Sequence, residues 1–337
     1  MKKYLLFAQW VLIAVLFSVL FFRTGAVETA QISAQHVDNQ QTSSSEQPFD
    51  IVKTYDLPGN LTFANETVPL DDPDVRERLD REIYTNLYYH SSTISILKRA
   101  NRWMPAIEQV LEKHNIPEDF KYLALIESGL QNVVSPAGAT GFWQLRDITA
   151  RELGLEVNDE VDQRYDPIQS TEAAAKYLQK SYKRFGSWTN AAASYNIGMY
   201  GLDRRLEDQR VYSYYDLLLN EETSRYVFRV LALKEIYENR SKYGYDFPED
   251  HLYGNEPLKV VTIDEDVDNF VDFALDNGIN YKILKQYNPW LRGRKLNVNK
   301  GHSYQILIPE NPPRFTFMPL QEEESEPSRK KTRLATP

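Results

Sequence analysis

The sequence predicts a mainly α-helical protein that is followed by a small module of mixed helices and strands. Apolar residues recur at spacings of three and four from residue 71 to about residue 243, with glycine and proline turns between the runs and no sustained period-two alternation. Beyond residue 255, two strand-like runs enclose two helical segments, which predicts a βααβ unit in the order 258–263, 267–277, 281–287 and 304–308.

The composition excludes several classes of function. With 48 acidic against 39 basic residues, the 337-residue chain has a formal net charge of −9, which is the wrong sign for binding nucleic acid through its phosphates. It contains no cysteine, and this excludes disulfides, thiolate nucleophiles and thiolate metal sites. The five histidines are scattered without an i, i+4 pair, so we predict neither a metal site nor another cofactor.

The amino-terminal residues 1–27 predict an export signal or a membrane anchor. Lys2 and Lys3 precede an uncharged, mostly apolar stretch at 4–22, which is close to the roughly 20 residues that span a bilayer. We therefore expect the body of the protein to lie outside the cytoplasm, and the length of the stretch favours an anchor over a cleaved signal. Residues 28–70 begin with a segment rich in Gln, Ser and Thr and are predicted to be a solvated linker.

A helical domain is predicted at 71–250. In its first helix four apolar residues fall on one face, namely Val75, Leu79, Ile83 and Leu87. A second helix is predicted at 94–113, with a break or a new start at Pro105 because proline removes a helical hydrogen bond.

A third predicted helix, at 118–130, places a carboxyl group among apolar side chains. Phe120, Leu123 and Ala124 form its apolar stripe, and Glu127 takes the next position of the same stripe. Removal from water disfavours the charged form of a carboxyl group, so its pKa rises and it can stay protonated near neutral pH, as a general acid must. From periodicity alone, a glutamate that reaches water or pairs with an arginine is the competing interpretation.

Two further segments could complete a sugar-binding site. A loop of small residues delivers Phe142, Trp143 and Gln144, whose rings could stack on pyranose faces and whose amide could bind a hydroxyl or acetamido group. The alternative is that both aromatic side chains belong to the core. A later helix ends with Tyr195 and Asn196 before a glycine turn, and the Tyr195 hydroxyl group could hydrogen-bond to the glutamate.

Three motifs in this order and spacing give the sequence a specific resemblance. They are Glu127-Ser128-Gly129, Gly141-Phe142-Trp143-Gln144-Leu145 and Ala193-Ser194-Tyr195-Asn196-Ile197-Gly198. Together they resemble the catalytic domain of soluble and membrane-bound lytic transglycosylases, and the segment at 115–123 is most similar to the D-type membrane-bound subgroup. The similarity covers about a third of the chain, at 102–207.

The resemblance implies a lysozyme-like helical domain and a reaction on periplasmic peptidoglycan. Glu127 would be the single general acid/base that cleaves the β-1,4 bond between N-acetylmuramic acid and N-acetylglucosamine, leaving a 1,6-anhydro end without consuming water. The expected partners are glycan strands, which the resemblance implies, and the membrane, which the amino-terminal segment predicts. Envelope proteins stay open as further partners. The residues implied to bind sugar or to position the glutamate are Ser128, Gly141, Phe142, Trp143, Gln144, Tyr195 and Asn196.

Two other functions stay open at this point. A peptidoglycan hydrolase would place a second carboxylate across the bond. Asp147 and Asp162 are candidates for this carboxylate, but their spacing in the sequence favours neither one. A noncatalytic scaffold that binds glycan strands would have no need of a carboxyl group on an apolar stripe, which speaks against this function.

The unit at 255–312 is similar to a LysM module, which binds N-acetylglucosamine strands in related enzymes. The acidic segment 264–268 replaces the tight turn that is expected after the first strand, so a structural cap and a protein-docking surface remain open beside glycan binding. Residues 313–337 are highly charged and are predicted to be disordered. Within the unit at 255–312, the segments that are similar to a LysM module are Asn277-Gly278, Asn288-Pro289 and Ile306-Leu307-Ile308-Pro309.

Overall fold

The computed structural model of the chain describes residues 53–313. The predicted signal or anchor, the first part of the predicted linker and the tail from residue 314 onward lie outside the described residues. Within residues 53–313, no helix is long and apolar enough to cross a membrane. From Tyr55 onward the described chain forms one compact unit, in which a helical domain precedes a small two-stranded module.

The helical domain confirms the mainly α-helical fold class. Several helices begin after a side chain that caps the first turn, as Asp166 does before Pro167 and Ser187 does before Trp188. The α-helices that the structure describes in this domain are α1 (Pro73–Leu87), α2 (His90–Lys113), α3 (Lys121–Ser128), α4 (Asp147–Glu152), α5 (Pro167–Phe185), α6 (Trp188–Ile197), α7 (Met199–Gln209) and α8 (Glu221–Glu238).

The break predicted at Pro105 is wrong, because α2 runs through this residue without interruption. Proline removes the hydrogen bond that the carbonyl group of Asn101 would accept in a helix. Both residues are exposed, so water can take the place of the missing donor.

The helix predicted at 118–130 is shorter than expected and has two parts. It begins with a 3-10 turn at Glu118–Phe120 and continues as α3. It ends at Gly129, whose φ of 60° is left-handed and whose carbonyl oxygen accepts a 2.6 Å hydrogen bond from Nε of Arg99 on α2. This capped end places Glu127 in the last turn of the helix.

Part of the predicted linker is folded. Two strands of two residues each, β1 (Thr62–Phe63) and β2 (Glu66–Thr67), form an antiparallel hairpin. Phe63 and Val68 are buried in the core of the helical domain. The prediction of a linker at 28–70 is therefore wrong for its carboxyl-terminal part, because strands of this length are too short to show alternation in a sequence.

The helix at the centre of this domain is α8, whose side chains are buried on most of its circumference from Tyr226 to Ile236. It packs against α1, α3 and α6, and so contacts the helices that carry Glu127 and Tyr195. A helix that is apolar on most faces belongs in the interior of a protein. This position brings side chains of α8 to the candidate site.

The βααβ order at the carboxyl end is confirmed. Strand β3 (Leu258–Ile263) pairs antiparallel with β4 (Tyr304–Pro309), and α9 (Phe270–Asp276) and α10 (Tyr281–Tyr287) lie between them in the chain. Buried residues of all four elements form a second hydrophobic cluster, which also includes Val161 from the helical domain.

Candidate active site

Glu127 lies in the last turn of α3 with its side chain half-buried. Leu123 and Ala124, on the same stripe, are fully buried. Because this setting removes the carboxyl group from most of its water, its pKa rises from the ordinary 4.5 to about 7. At neutral pH a large share of the molecules therefore holds the proton that a general acid must donate.

The direct partner of Glu127 is Tyr226 on α8, a residue that the sequence motifs did not reveal. Its hydroxyl group donates a 2.5 Å hydrogen bond to Oε1 of Glu127 and lowers the pKa of that carboxyl group, although less than burial raises it. The chain contains 22 tyrosines, and nothing in the sequence distinguishes Tyr226 from the others. The nearest local signal is Asn220, which caps the first turn of α8 and so predicts where this helix begins. Only the packing of α8 against α3 shows which way the side chain points.

Tyr195 does not hydrogen-bond to Glu127, contrary to the prediction. Its hydroxyl group donates a 2.8 Å hydrogen bond to the carbonyl oxygen of Trp143, which ties the loop to α6. Its pKa is raised first by burial and then by the negative charge of Glu127, as expected for a close neighbour. Asn196 follows at the end of α6, half-buried, and its side chain makes no hydrogen bond within the described residues, so its amide can bind a ligand.

The two aromatic residues of the loop are core residues, so the prediction that their rings stack on sugars is wrong. Trp143 is fully buried, and its indole Nε1 donates a 2.8 Å hydrogen bond to the hydroxyl group of Thr171 on α5. Phe142 is 3% exposed and packs edge-on against Trp103, with ring centroids 5.2 Å apart. These rings anchor the loop to the helical domain.

Polar contacts tie the end of α3 to the same loop. The hydroxyl group of Ser128 donates a 2.8 Å hydrogen bond to the carbonyl oxygen of Phe142. Nε2 of Gln144 donates to the carbonyl oxygens of Val133 and Gly141 at 3.0 and 2.8 Å. Its amide oxygen has no partner among residues 53–313, so this half-buried group can accept a hydrogen bond from a ligand.

Gly141 permits a close approach between two stretches of backbone. Its φ is 80°, and a Cβ atom at this position would lie 1.9 Å from the carbonyl oxygen of Arg164. A side chain of any size is therefore excluded. The role of Gly141 is to let the loop pass against residue 164, rather than to contact a ligand through its own atoms.

An ion pair on α8 flanks the Glu127 carboxyl group. Glu222 and Arg229 lie four residues before and three residues after Tyr226, and therefore on the same face of the helix. Arg229 donates two hydrogen bonds, of 3.2 and 3.1 Å, to the carboxylate of Glu222. The charge of Glu222 raises the pKa of Glu127 and that of Arg229 lowers it, and both effects are smaller than that of burial.

The two candidates for a second carboxylate are engaged away from Glu127. Asp147 is exposed and paired with Arg151. Asp162 is buried in an ion pair with Arg164, at 2.7 Å between Nη2 and Oδ2. In the part of the chain that the structure describes, no group of three or more acidic or histidine side chains is arranged to hold a metal ion.

Comparison with known families covers both parts of the chain. Residues 104–217, a range that includes Glu127, Gln144 and Tyr195, match the family model of the transglycosylase SLT domain. This part of the chain is therefore similar to an SLT domain. Residues 259–312 match the family model of the soluble lytic transglycosylase C-terminal LysM-like domain. The resemblance that the sequence motifs indicated is thus confirmed, whereas Tyr226 lies beyond the range of the SLT match.

The similarity to known proteins extends beyond the residues that match the SLT domain. The chain is 29% identical over 264 residues to membrane-bound lytic murein transglycosylase D of Escherichia coli strain K12, an alignment that covers 74% of this chain. It is 36% identical over 140 residues to membrane-bound lytic murein transglycosylase F of Shewanella sediminis, which covers 39% of this chain and 25% of the relative. The chain spans 55% of the length of the E. coli relative.

Proposed function

We propose that this protein is a peptidoglycan lytic transglycosylase in which Glu127 is the single general acid/base. The observation that carries the proposal is the half-buried Glu127 carboxyl group, whose pKa is about 7 and which accepts a hydrogen bond from Tyr226. The SLT domain, and the similarity of the chain to lytic murein transglycosylases, support the same reaction.

In the proposed reaction, Glu127 first donates its proton to the oxygen that joins N-acetylmuramic acid to N-acetylglucosamine. The bond from C1 of the muramic residue to this oxygen breaks, and the N-acetylglucosamine part leaves with the proton. The carboxylate then accepts the proton of the muramic C6 hydroxyl group, whose oxygen bonds to C1. The product carries a 1,6-anhydro ring, no water is consumed, and Glu127 is protonated again.

The environment of Glu127 suits both halves of this reaction. Burial favours the protonated form that the first half needs. The Tyr226 hydroxyl group stabilises the carboxylate that exists between the two halves. Because the resulting pKa lies near 7, the same group can donate and then accept a proton near neutral pH.

A hydrolase that uses two carboxylates is less well supported by the site. Such enzymes place their two carboxyl groups roughly 5 to 10 Å apart across the bond. Glu222 is the carboxylate whose charge acts on Glu127 in the described structure, but Arg229 holds it in a bidentate ion pair. Asp147 and Asp162 are each paired with an arginine of their own.

Digestion of purified peptidoglycan tests the proposed reaction. The chain without its first 30 residues should release 1,6-anhydro products, which are lighter by one water than the products of hydrolysis, and the Glu127→Gln variant should release none. A matched control is Glu77→Gln, at an exposed glutamate on α1, which should release the same products as the unaltered protein. Reducing products would indicate a hydrolase, and binding of glycan strands without cleavage would indicate a scaffold.

We also propose that the protein acts in the cell envelope and is held at the membrane by its amino-terminal segment. The similar transglycosylases are membrane-bound by name. The apolar stretch at 4–22 is of the length that spans a bilayer. In fractionated cells the full chain should sediment with membranes, and the chain without its first 30 residues should not. Equal distribution of the two would contradict the anchor.

A further inference from the structure

Residues 156–165 of the helical domain contact the LysM-like module on one side and the loop at 135–145 on the other, and we call them the bridge segment. Val161 is 1% exposed and belongs to the hydrophobic cluster of the module. It pairs with Leu291 in a single antiparallel β-bridge. Leu291 is fixed within the module, since Nζ of Lys285 donates a 2.7 Å hydrogen bond to its carbonyl oxygen.

Glu160 forms the polar part of the contact with the module. Its carbonyl oxygen accepts a 2.7 Å hydrogen bond from the backbone N–H of Arg292. Its carboxylate accepts hydrogen bonds from the backbone N–H and from Nδ2 of Asn297, at 2.8 and 2.5 Å. Nζ of Lys295 lies 3.7 Å from the same carboxylate. The backbone N–H of Gly293 donates to the Glu160 carbonyl oxygen at 3.2 Å, so one glutamate is held by four residues of the module.

Arg164 connects the other side of the bridge segment to the loop. Its side chain and that of Asp162 are 11% and 8% exposed, and the two form a bidentate ion pair. Nη1 of Arg164 also donates to the carbonyl oxygens of Gly138 and Leu145 at 3.3 and 3.4 Å. The carbonyl oxygen of Arg164 lies against Gly141 so closely that no Cβ atom fits there.

Asp162 belongs to both contacts at once. Its backbone N–H donates a 2.8 Å hydrogen bond to the carbonyl oxygen of Trp290 in the module, while its carboxylate orients Arg164 toward the loop. We propose that the LysM-like module, through the bridge segment, holds the 135–145 loop in the conformation that binds the glycan, with Glu160, Asp162 and Arg164 as positioning residues.

The loop depends on such support because ordering it costs backbone entropy. It contains Gly138 and Gly141, both at positive φ, and glycine loses more backbone freedom on ordering than any other residue. The bridge contacts described above involve no residue of α3 or α8, which carry Glu127 and Tyr226, so loss of the bridge should weaken sugar binding more than proton transfer. This kinetic consequence rests on the proposed function, whereas the mechanical coupling does not.

Hydrogen exchange of the full chain tests the coupling directly. The double variant Glu160→Ala/Val161→Ala removes the carboxylate and the buried side chain that hold the module. Its matched control is Asp159→Ala/Val260→Ala, at an exposed neighbour of Glu160 and at a valine of β3 that is 55% exposed. Amides at 135–145 should exchange faster in the first variant only, with exchange in α8 unchanged in both. Unchanged exchange of the loop would overturn the proposal.

Kinetics on a soluble tetrasaccharide of alternating N-acetylglucosamine and N-acetylmuramic acid distinguish positioning from general loss of structure. The Glu160→Ala/Val161→Ala variant should raise KM about fivefold or more with kcat nearly unchanged. The single variant Glu160→Gln, which keeps one acceptor oxygen, should retain most of the substrate binding. A lower kcat at constant KM would instead mean fewer folded molecules and would overturn the positioning role. If the unaltered protein does not cleave the substrate, the proposed function fails and the exchange experiment still decides the coupling.

Discussion

At the scale of single residues, the proposed chemistry depends on a carboxyl group that is kept away from water. Glu127 lies on the buried stripe of α3, and its charged form is disfavoured there more than the Tyr226 hydroxyl group can offset. The same setting that raises the pKa of this group to about 7 therefore lowers the stability of the folded protein whenever the proton is lost.

The Glu127→Gln substitution should stabilise the fold above pH 7 and have little effect below pH 4.5. Between the ordinary pKa of 4.5 in the unfolded chain and the pKa of about 7 in the folded protein, the folded state binds more protons, so stability falls as pH rises through this window. The loss is about 1.4 kcal/mol per pH unit, or about 3 kcal/mol over the whole window. Glutamine does not ionise, so the variant does not lose this stability as the pH rises. Urea unfolding on both sides of the window measures the difference, and a difference independent of pH would contradict the burial of this group.

The Tyr226→Phe substitution should shift the alkaline limb of the activity profile to higher pH. The Tyr226 hydroxyl group lowers the pKa of Glu127, so its removal raises that pKa further and the proton donor persists to higher pH. Activity at the optimum should fall by about tenfold or more, because the carboxylate loses a charge-assisted hydrogen bond. The measurement is kcat/KM against pH. Tyr212→Phe, at a tyrosine that is 94% exposed, is the control, and an alkaline limb unmoved by Tyr226→Phe would argue against the pairing.

At the scale of elements, the amino-terminal hairpin caps α6. The carboxylate of Glu66 accepts hydrogen bonds from the backbone N–H groups of Trp188 and Thr189, at 2.5 and 2.8 Å, and from the hydroxyl groups of Ser187 and Thr189, at 2.9 and 2.7 Å. A negative charge is favoured at a helix N-terminus, where unpaired N–H groups concentrate. The hairpin thereby secures the helix whose opposite end carries Tyr195.

The Glu66→Ala substitution should lower the free energy of unfolding by about 1 to 3 kcal/mol, since it leaves four donors without their acceptor. Thermal unfolding followed by circular dichroism measures the change. Glu77→Ala, at an exposed position of α1 with the same change of charge, should unfold near the temperature of the unaltered protein. Equal effects of the two substitutions would show that the hairpin contributes nothing to α6.

The loop at 135–145 offers a test of its close packing at two glycines of similar backbone geometry. Gly138 and Gly141 have φ values of 78° and 80°, but a Cβ atom meets nothing within 4 Å at Gly138 and the carbonyl oxygen of Arg164 at 1.9 Å at Gly141. Gly141→Ala should therefore cost about 1 to 3 kcal/mol more stability than Gly138→Ala. Chemical unfolding of both variants gives the difference, and similar losses would mean that the loop moves freely away from residue 164.

At the scale of the whole molecule, two hydrophobic clusters are joined through the bridge segment. Val161 belongs to the helical domain by its position in the sequence, but its side chain is buried in the hydrophobic cluster of the module. Tyr304 on β4 also donates a 2.9 Å hydrogen bond to the carboxylate of Glu156. Apolar burial and hydrogen bonds across the same contact should make the two parts unfold together.

Differential scanning calorimetry of the full chain should accordingly show one main transition that contains both parts. In the Glu160→Ala/Val161→Ala variant the module should separate as an earlier transition, because its contact with the helical domain is weakened. The Asp159→Ala/Val260→Ala control should keep a single transition. Two transitions in the unaltered protein would show that the parts are energetically independent.

The sequence by itself determined what depends on neighbours along the chain. Helical periodicity and the turn residues predicted the fold class, and both strands of the module were placed correctly. The stripe that contains Glu127 predicted a carboxyl group in an apolar setting, which agrees with its raised pKa. Each of these features follows from residues within a few turns of one another, so the pattern contains the information.

Only the tertiary structure decided which distant side chains meet. The hydroxyl group that bonds to Glu127 comes from Tyr226, 99 residues away in the chain, and not from Tyr195. The rings of Phe142 and Trp143 turn into the core, although the local sequence is equally compatible with rings at the surface. Burial and long-range hydrogen bonds depend on how helices pack, and a periodic pattern states which face is apolar without stating what that face will contact.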